Sequence, residues 1–413
     1  MNPIDAPTPT PPALAHAQRR ALLAGLGGLA AGALVASRAH AGPLDPPPGP
    51  VAPTGRTLTE VEPRIPLGPT TTPGDNTAVY RITQPGSYYL TENLTGQAGR
   101  NGIVIDADHV TLDLRGFAVA GVPGAIEGIV TPTLRRNLTI NDGTIRGWPG
   151  IGVNLGASAA VLIRGLHADQ NAAGGIEVGS GSCVRECTAT QNGGSGIVVG
   201  DGSTVLECAA SFNSGGSGFR LGARSAASHC AALVNGSHGF SVREACSVLN
   251  CAASSNGGSG FNTTNGATLA HCTANQNSAD GITCASACVV SECAAFFNSL
   301  DGIRVTTRCM VLNNTSINNA PGAAVGAGVH ATGSDNVIRG NHCIANDFGI
   351  DADASGNLIT GNACSNNTTD WSLVANNAIG PILDRRAPAS PAVSGFAAAS
   401  SLGTTDPHAN FSF

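Results

Sequence analysis

Apolar and polar residues alternate in short runs along most of this chain, and each run opens on a glycine. The unit is Gly-apolar-x-apolar, as in Gly175-Ile176, Gly196-Ile197, Gly218-Phe219, Gly239-Phe240, Gly260-Phe261, Gly281-Ile282 and Gly302-Ile303. Less regular copies precede these at Gly102-Ile103, Gly128-Ile129 and Gly152-Val153, and others follow at Gly328-Val329 and Gly349-Ile350. Alternation with period two is a strand signature, so the residue after glycine points in, the next out and the next in. Glycine supplies the bend before each strand. A second short strand follows, as in Val205-Leu206-Glu207-Cys208 and Val290-Ser291-Glu292-Cys293.

Between about Gln170 and Asn319 the unit recurs every 21 or 22 residues. Asn171, Asn192, Asn213, Asn235, Asn256, Asn277, Asn298 and Asn319 recur in phase, and so do Cys187, Cys208, Cys230, Cys251, Cys272 and Cys293. A fixed period of this length without a helical pattern predicts a stacked solenoid. The expected fold is all-β, a single-stranded right-handed parallel β-helix of about twelve coils. The asparagines should stack in a column and hydrogen-bond along it. The cysteines should lie inside as small apolar side chains, with Cys246, Cys288 and Cys309 in a second interior column and Cys183 close to it. Rungs ~4.8 Å apart rarely give in-register thiols the disulfide torsion, so reduced cysteines are expected.

The two ends read differently. Arg19 and Arg20 precede an apolar run that closes on Ala39-His40-Ala41, a pattern of export signals, with the paired arginines favouring the twin-arginine route. The expected organisation is an export signal over 1–41, a Pro/Thr-rich segment over 42–79, the β-helix over 80–384 and a low-complexity tail over 385–413. An extracellular or envelope location follows, with no transmembrane span, since the apolar run is short and rich in Gly and Ala.

Composition narrows the partners. Only 4% of the 413 residues are aromatic and 12% charged, which suits thin coils filled by Val, Ile, Leu, Ala and Cys. A net charge of -6, with no lysine, leaves no basic field for nucleic acid. The chain is read as monomeric.

The stretches VTLDLRGF (110–117) and NLTINDGTIRGW (137–148), followed by the Gly-Ile and Gly-Phe coils, resemble the right-handed parallel β-helix proteins of the pectin-lyase-like superfamily. That group includes copper-maturation periplasmic proteins and alginate epimerases. The resemblance covers roughly residues 80 to 384 and implies a fold rather than an activity. The acidic motif set of polygalacturonases is missing, and the one Asp406-Pro407-His408 match to the epimerase motif sits in the tail. Related enzymes act on an outward face of the coils.

On that face the column before glycine ends in Asp280 and Asp301, on successive coils. The column after the Gly-apolar pair ends in Arg304, His330 and Asp351, with Asp353 two residues on. All are expected at exposed positions. Close carboxylates can split into an acid and a base, or hold Ca²⁺ against an acidic sugar. Arg304 can pair with a uronate carboxylate and His330 can transfer a proton. Asp280, Asp301, Arg304, His330 and Asp351 are therefore the candidate catalytic residues, with calcium the one candidate cofactor. The leading expectation is binding, and cleavage or epimerisation, of an acidic polysaccharide. The alternative is a non-catalytic envelope or surface scaffold, for which the same residues are a solvated face. Trp148 and Trp371 either cap coil edges or stack on sugar.

Overall fold

A computed structural model describes residues 62–320, 325–384, 393–395 and 406–413. The described residues hold strands and turns and no helix. The expected export signal lies outside them. Strands pair in parallel with the equivalent strand one coil on, and the one antiparallel contact is an isolated bridge between Pro73 and Tyr80. Each coil carries three short strands, so three faces run along the stack. One face is a sheet of fifteen strands, from Ala78–Ile82 to Val393–Gly395.

Twelve of those fifteen strands carry the glycine signature. Val79 and Asp370 stand at the glycine place in two of the others, so the pattern counts only twelve coils. Glycine is needed there because the coils approach closely. A Cβ at Gly281 would stand 2.5 Å from the Gly302 carbonyl oxygen and 2.7 Å from Asn298 Nδ2.

Period two is obeyed at the regular rungs, whereas Val104 and Val130, in the first coils, are buried at the outward place. Ile176 and Val178 are buried and Glu177 between them is not. Phe219, Phe240 and Phe261 stack inside with ring centroids 4.7 and 4.8 Å apart, the spacing of successive rungs. Trp148 and Trp371 are both buried, donating from Nε1 to Val119 O and Ser412 Oγ, so neither is offered to a sugar.

The corners explain the recurring polar residues. Each corner of the regular coils holds one residue in the left-handed region, as at Arg224, His229 and Val234 in a single coil. The residue after it points inward and its N–H meets the same side chain of the next coil. Asn192 N–H and Nδ2 both donate to Asn213 Oδ1, at 3.1 and 2.9 Å, and the bond repeats up the column. At the second corner the acceptor is a thiol, with Cys272 N–H 3.4 Å from Cys293 Sγ, until Asn314 takes over. At the first corner it passes from Ser203 and Ser225 to Cys246 and Cys309, then to Asn336. Cysteine here fills an apolar interior and still satisfies a corner amide weakly. All 13 cysteines are free, and all are buried except Cys183, which is half-buried beside its column rather than interior.

Both expected boundaries move. Ile65–Pro66 already pairs with the coil strand Gly86–Tyr89, and Ala78–Ile82 opens the fifteen-stranded sheet, so the helix begins before residue 80. The supposed tail returns as a strand, Asn410–Ser412, against Ala363–Ser365 and Ile382–Asp384. Asn410 Oδ1 accepts from Asn362 N–H and Nδ2, completing the second corner column. Its signal was a lone Asn in phase only after a 48-residue detour.

Candidate functional site

The outward column on the fifteen-stranded face runs Thr283, Arg304, His330, Asp351 and Ser372, each in register with the next. Arg304 and His330 are therefore direct neighbours despite the insertion between them. The column before glycine works differently. Its side chains accept backbone N–H groups of the following coil: Ser259 N–H to His238 Nδ1 at 3.0 Å, Asp301 N–H to Asp280 Oδ1 at 3.0 Å, Ala327 N–H to Asp301 Oδ1 at 2.7 Å. Asp280 and Asp301 are consequently buried, each 5% exposed, and the expectation of an exposed Asp301 is corrected. Serving as edge acceptors pulls them against the coil.

The two columns meet at His330. Its Nδ1 lies 2.7 Å from Asp301 Oδ2, and its Nε2 lies 3.0 Å from Asp353 Oδ2 and 3.8 Å from Asp351 Oδ2. Both ring nitrogens face carboxylates, and only an imidazolium donates from both. Burial pulls the His330 pKa down. The hydrogen bond and charge of Asp301, the hydrogen bond of Asp353 and the charge of Asp351 outweigh it and push it up to about 9. Burial raises Asp351, with Asp353 and Asp301 adding to it against the Ser372 hydrogen bond and the His330 charge. Burial and the Asp301 charge also raise Asp280, opposed by the Thr283 hydroxyl, which donates to it at 2.9 Å. At neutral pH a charged imidazolium acid thus stands beside a carboxylate of enhanced basicity. Arg304 is exposed and makes no hydrogen bond or ion pair among the described residues.

All five sequence candidates share this face, in two linked groups: Asp301, His330 and Asp351 around the ring, Asp280 one coil before, Arg304 beside. Asp353 is the residue underweighted, since its place two positions past Asp351 did not reveal that His330 Nε2 reaches it. His238 was missed. It occupies the before-glycine column, its Nδ1 accepts a backbone proton, and burial lowers its pKa, so it is held neutral.

One ligand atom from each of His330, Asp351 and Asp353 lies within 4.8 Å of the others, a spacing able to hold a metal ion. The two carboxylates suit a hard divalent cation such as calcium. A cation taking His330 Nε2 as well must displace the proton shared with Asp353.

Two family models match: right handed beta helix region over residues 129–292, and periplasmic copper-binding protein (NosD) over residues 216–380. The fold is a right-handed parallel β-helix. No curated protein matches the chain. Among solved structures, this β-helix is similar to the A-module of the mannuronan C-5 epimerase AlgE4 of Azotobacter vinelandii, with 17% identity, TM-score 0.45, and 69% of this chain and 88% of that one covered. It is also similar to the catalytic domain of a GH87 alpha-1,3-glucanase, with 12% identity, TM-score 0.48, and 66% and 64% covered. A third likeness is to pectate lyase Pel9A, with 14% identity, TM-score 0.29, and 68% and 71% covered. These likenesses are of fold. Among the described residues of this β-helix no helix is long and apolar enough to cross a membrane.

Proposed function

We propose that this protein is exported and binds an acidic polysaccharide on the fifteen-stranded face, where the His330 cluster acts on it by proton transfer. The observation that carries the reading is the clamped imidazolium: His330 held between Asp301 and Asp353, with Asp351 beside it. A solvated face needs none of this. A buried carboxylate spent on fixing one ring is the arrangement of an acid–base centre. Arg304 supplies a free guanidinium one rung away for a uronate carboxylate, and neutralising that carboxylate acidifies the adjacent C–H.

In this reading Asp351 takes that proton. His330 delivers its own proton to the glycosidic oxygen as the C–O bond breaks and a C=C bond forms, which is elimination. Return of a proton to the opposite face of the same carbon, with the glycosidic bond kept and a new C–H bond replacing the one broken, is epimerisation. A calcium ion bridging Asp353 and the uronate carboxylate would supply charge to bind the polymer and leave Asp351 to act as the base.

The test is incubation of the purified mature protein with pectate and alginate, with and without calcium. Absorbance reads new unsaturated ends, and proton NMR in deuterated water reads exchange at the carbon beside the carboxylate. Turnover that His330→Gln abolishes supports the reading. If the parental protein neither binds nor alters any acidic glycan, the reading fails and the non-catalytic scaffold replaces it.

A further inference from the structure

The outward column carries a second charged station. Five rungs before His330, Arg220 projects from the strand Phe219–Leu221, in register with Ser241 on the next coil. Arg243 follows two residues after Ser241, so period two turns it to the same side. The two arginines are exposed and line one shallow depression of about 210 Å³, with Asp201 at its edge. Arg220 also lines an adjoining depression of about 140 Å³ that reaches Glu177. Asp201 is engaged by Arg224 at 3.6 Å, whereas the guanidinium groups of Arg220 and Arg243 make no hydrogen bond or ion pair among the described residues.

Between the stations the outward residues Ser241, Asn262 and Thr283 are neutral hydrogen-bonding groups. The face therefore reads as a cation, three neutral polar rungs, a second cation at Arg304, and then the His330 cluster. Arg220 and Arg304 are four rungs apart, ~19 Å at ~4.8 Å per rung. An extended pyranose chain advances by about one ring length per unit, close to one rung. Carboxylates four units apart on one polymer would meet both cations together.

The geometry points to Arg220 and Arg243 as a distal anchoring subsite for a carboxylate of the same acidic polymer whose reacting unit lies at His330. This deepens the acidic-glycan reading and depends on it. The substrate becomes a polyanion of on the order of six units lying along the stack, because a second contact on a tethered unit acts through effective concentration. Short oligomers reach only one station.

Titration calorimetry with oligouronates from disaccharide to octasaccharide, at fixed calcium, tests this on the parental protein and on an Arg220→Ala, Arg243→Ala double variant. Parental affinity should step up by about tenfold to a hundredfold at the length that first spans both stations. The double variant should lose that step, bind short oligomers as the parent does and melt at the parental temperature. Lysine at both positions should restore part of the step. A step that survives the alanine substitutions, or affinity rising smoothly with length, overturns the subsite and leaves the Arg304–His330 site standing. Failure of the parental protein to bind any length overturns the acidic-glycan reading, and the subsite with it.

Discussion

The coils between Asn171 and Asn277 and those carrying Asp280 to Asp353 share one backbone plan and differ in what their side chains do. In the first stretch the period is 21 or 22 residues and nearly every buried polar group closes a corner. In the second the spacing from Gly302 to Gly328 stretches to 26, and the thiol at the second corner gives way to Asn314. There Asp301 serves both uses, with one oxygen on the Ala327 amide and the other on His330. Residues that only repeat are spent on stacking, and the charged cluster forms where a ladder residue, Asp301, acquires a partner outside its column.

The largest expected effect breaks the regular stretch. Cys251→Asp buries an unpaired charge in the thiol column and should cost about 3–5 kcal/mol or prevent folding, read by chemical denaturation. A variant that unfolds at the parental midpoint would place the column outside the core. Asn256→Ala strands the Asn235 N–H and amide and the Ala232 carbonyl, for a loss of about 2–4 kcal/mol.

Asp301→Asn sharpens the comparison, because it strikes both functions. The asparagine oxygen can still accept from Ala327, but its Nδ2 then faces His330 Nδ1 and forces a neutral ring. Turnover should fall by on the order of 10²–10⁴-fold and stability by about 1–3 kcal/mol. A loss of turnover at an unchanged melting temperature would mean that the buried carboxylate is not holding the coil.

Protonation separates the two stretches again. His330 titrates at about 9 in the folded chain, above its ordinary 6.5. Its stabilisation is therefore complete below about 6.5 and lost as pH rises through about 9, on the order of 2 kcal/mol after solvent screening. The melting temperature should drop between pH 7 and 10 in the parent and less so in His330→Gln. Equal slopes would dismiss the clamped imidazolium. The smallest structural effect is expected of Arg304→Ala, which should leave melting unchanged and weaken charged oligosaccharides about tenfold relative to neutral ones.

The period of glycine, asparagine and cysteine made most of the fold legible, because a solenoid writes each structural demand once per coil. Coils escaped where Val79 and Asp370 replace the glycine, and the closing strand escaped because Asn410 returns to phase without a repeat around it. The candidate face was legible as register: Arg304, His330 and Asp351 fall on successive rungs by counting. What counting could not show was depth. Asp before glycine reads as an ordinary turn residue, and only the path of the next coil's amide draws Asp280 and Asp301 inward. Nor could it show that His330 reaches across to Asp353, since that depends on a rotamer rather than on spacing.

The buried thiol columns also govern how this molecule ages. The column thiols lie buried in an apolar interior, out of contact with oxidants in solution while the stack stays closed. Unfolding bares the buried thiols together and leaves 13 cysteines in reach of one another, an odd number, all of them free in the fold. In oxidising surroundings each excursion to the unfolded state then sets random cross-linking in competition with refolding. Its lifetime there is set by how seldom the stack opens, a matter of barrier height rather than of equilibrium stability.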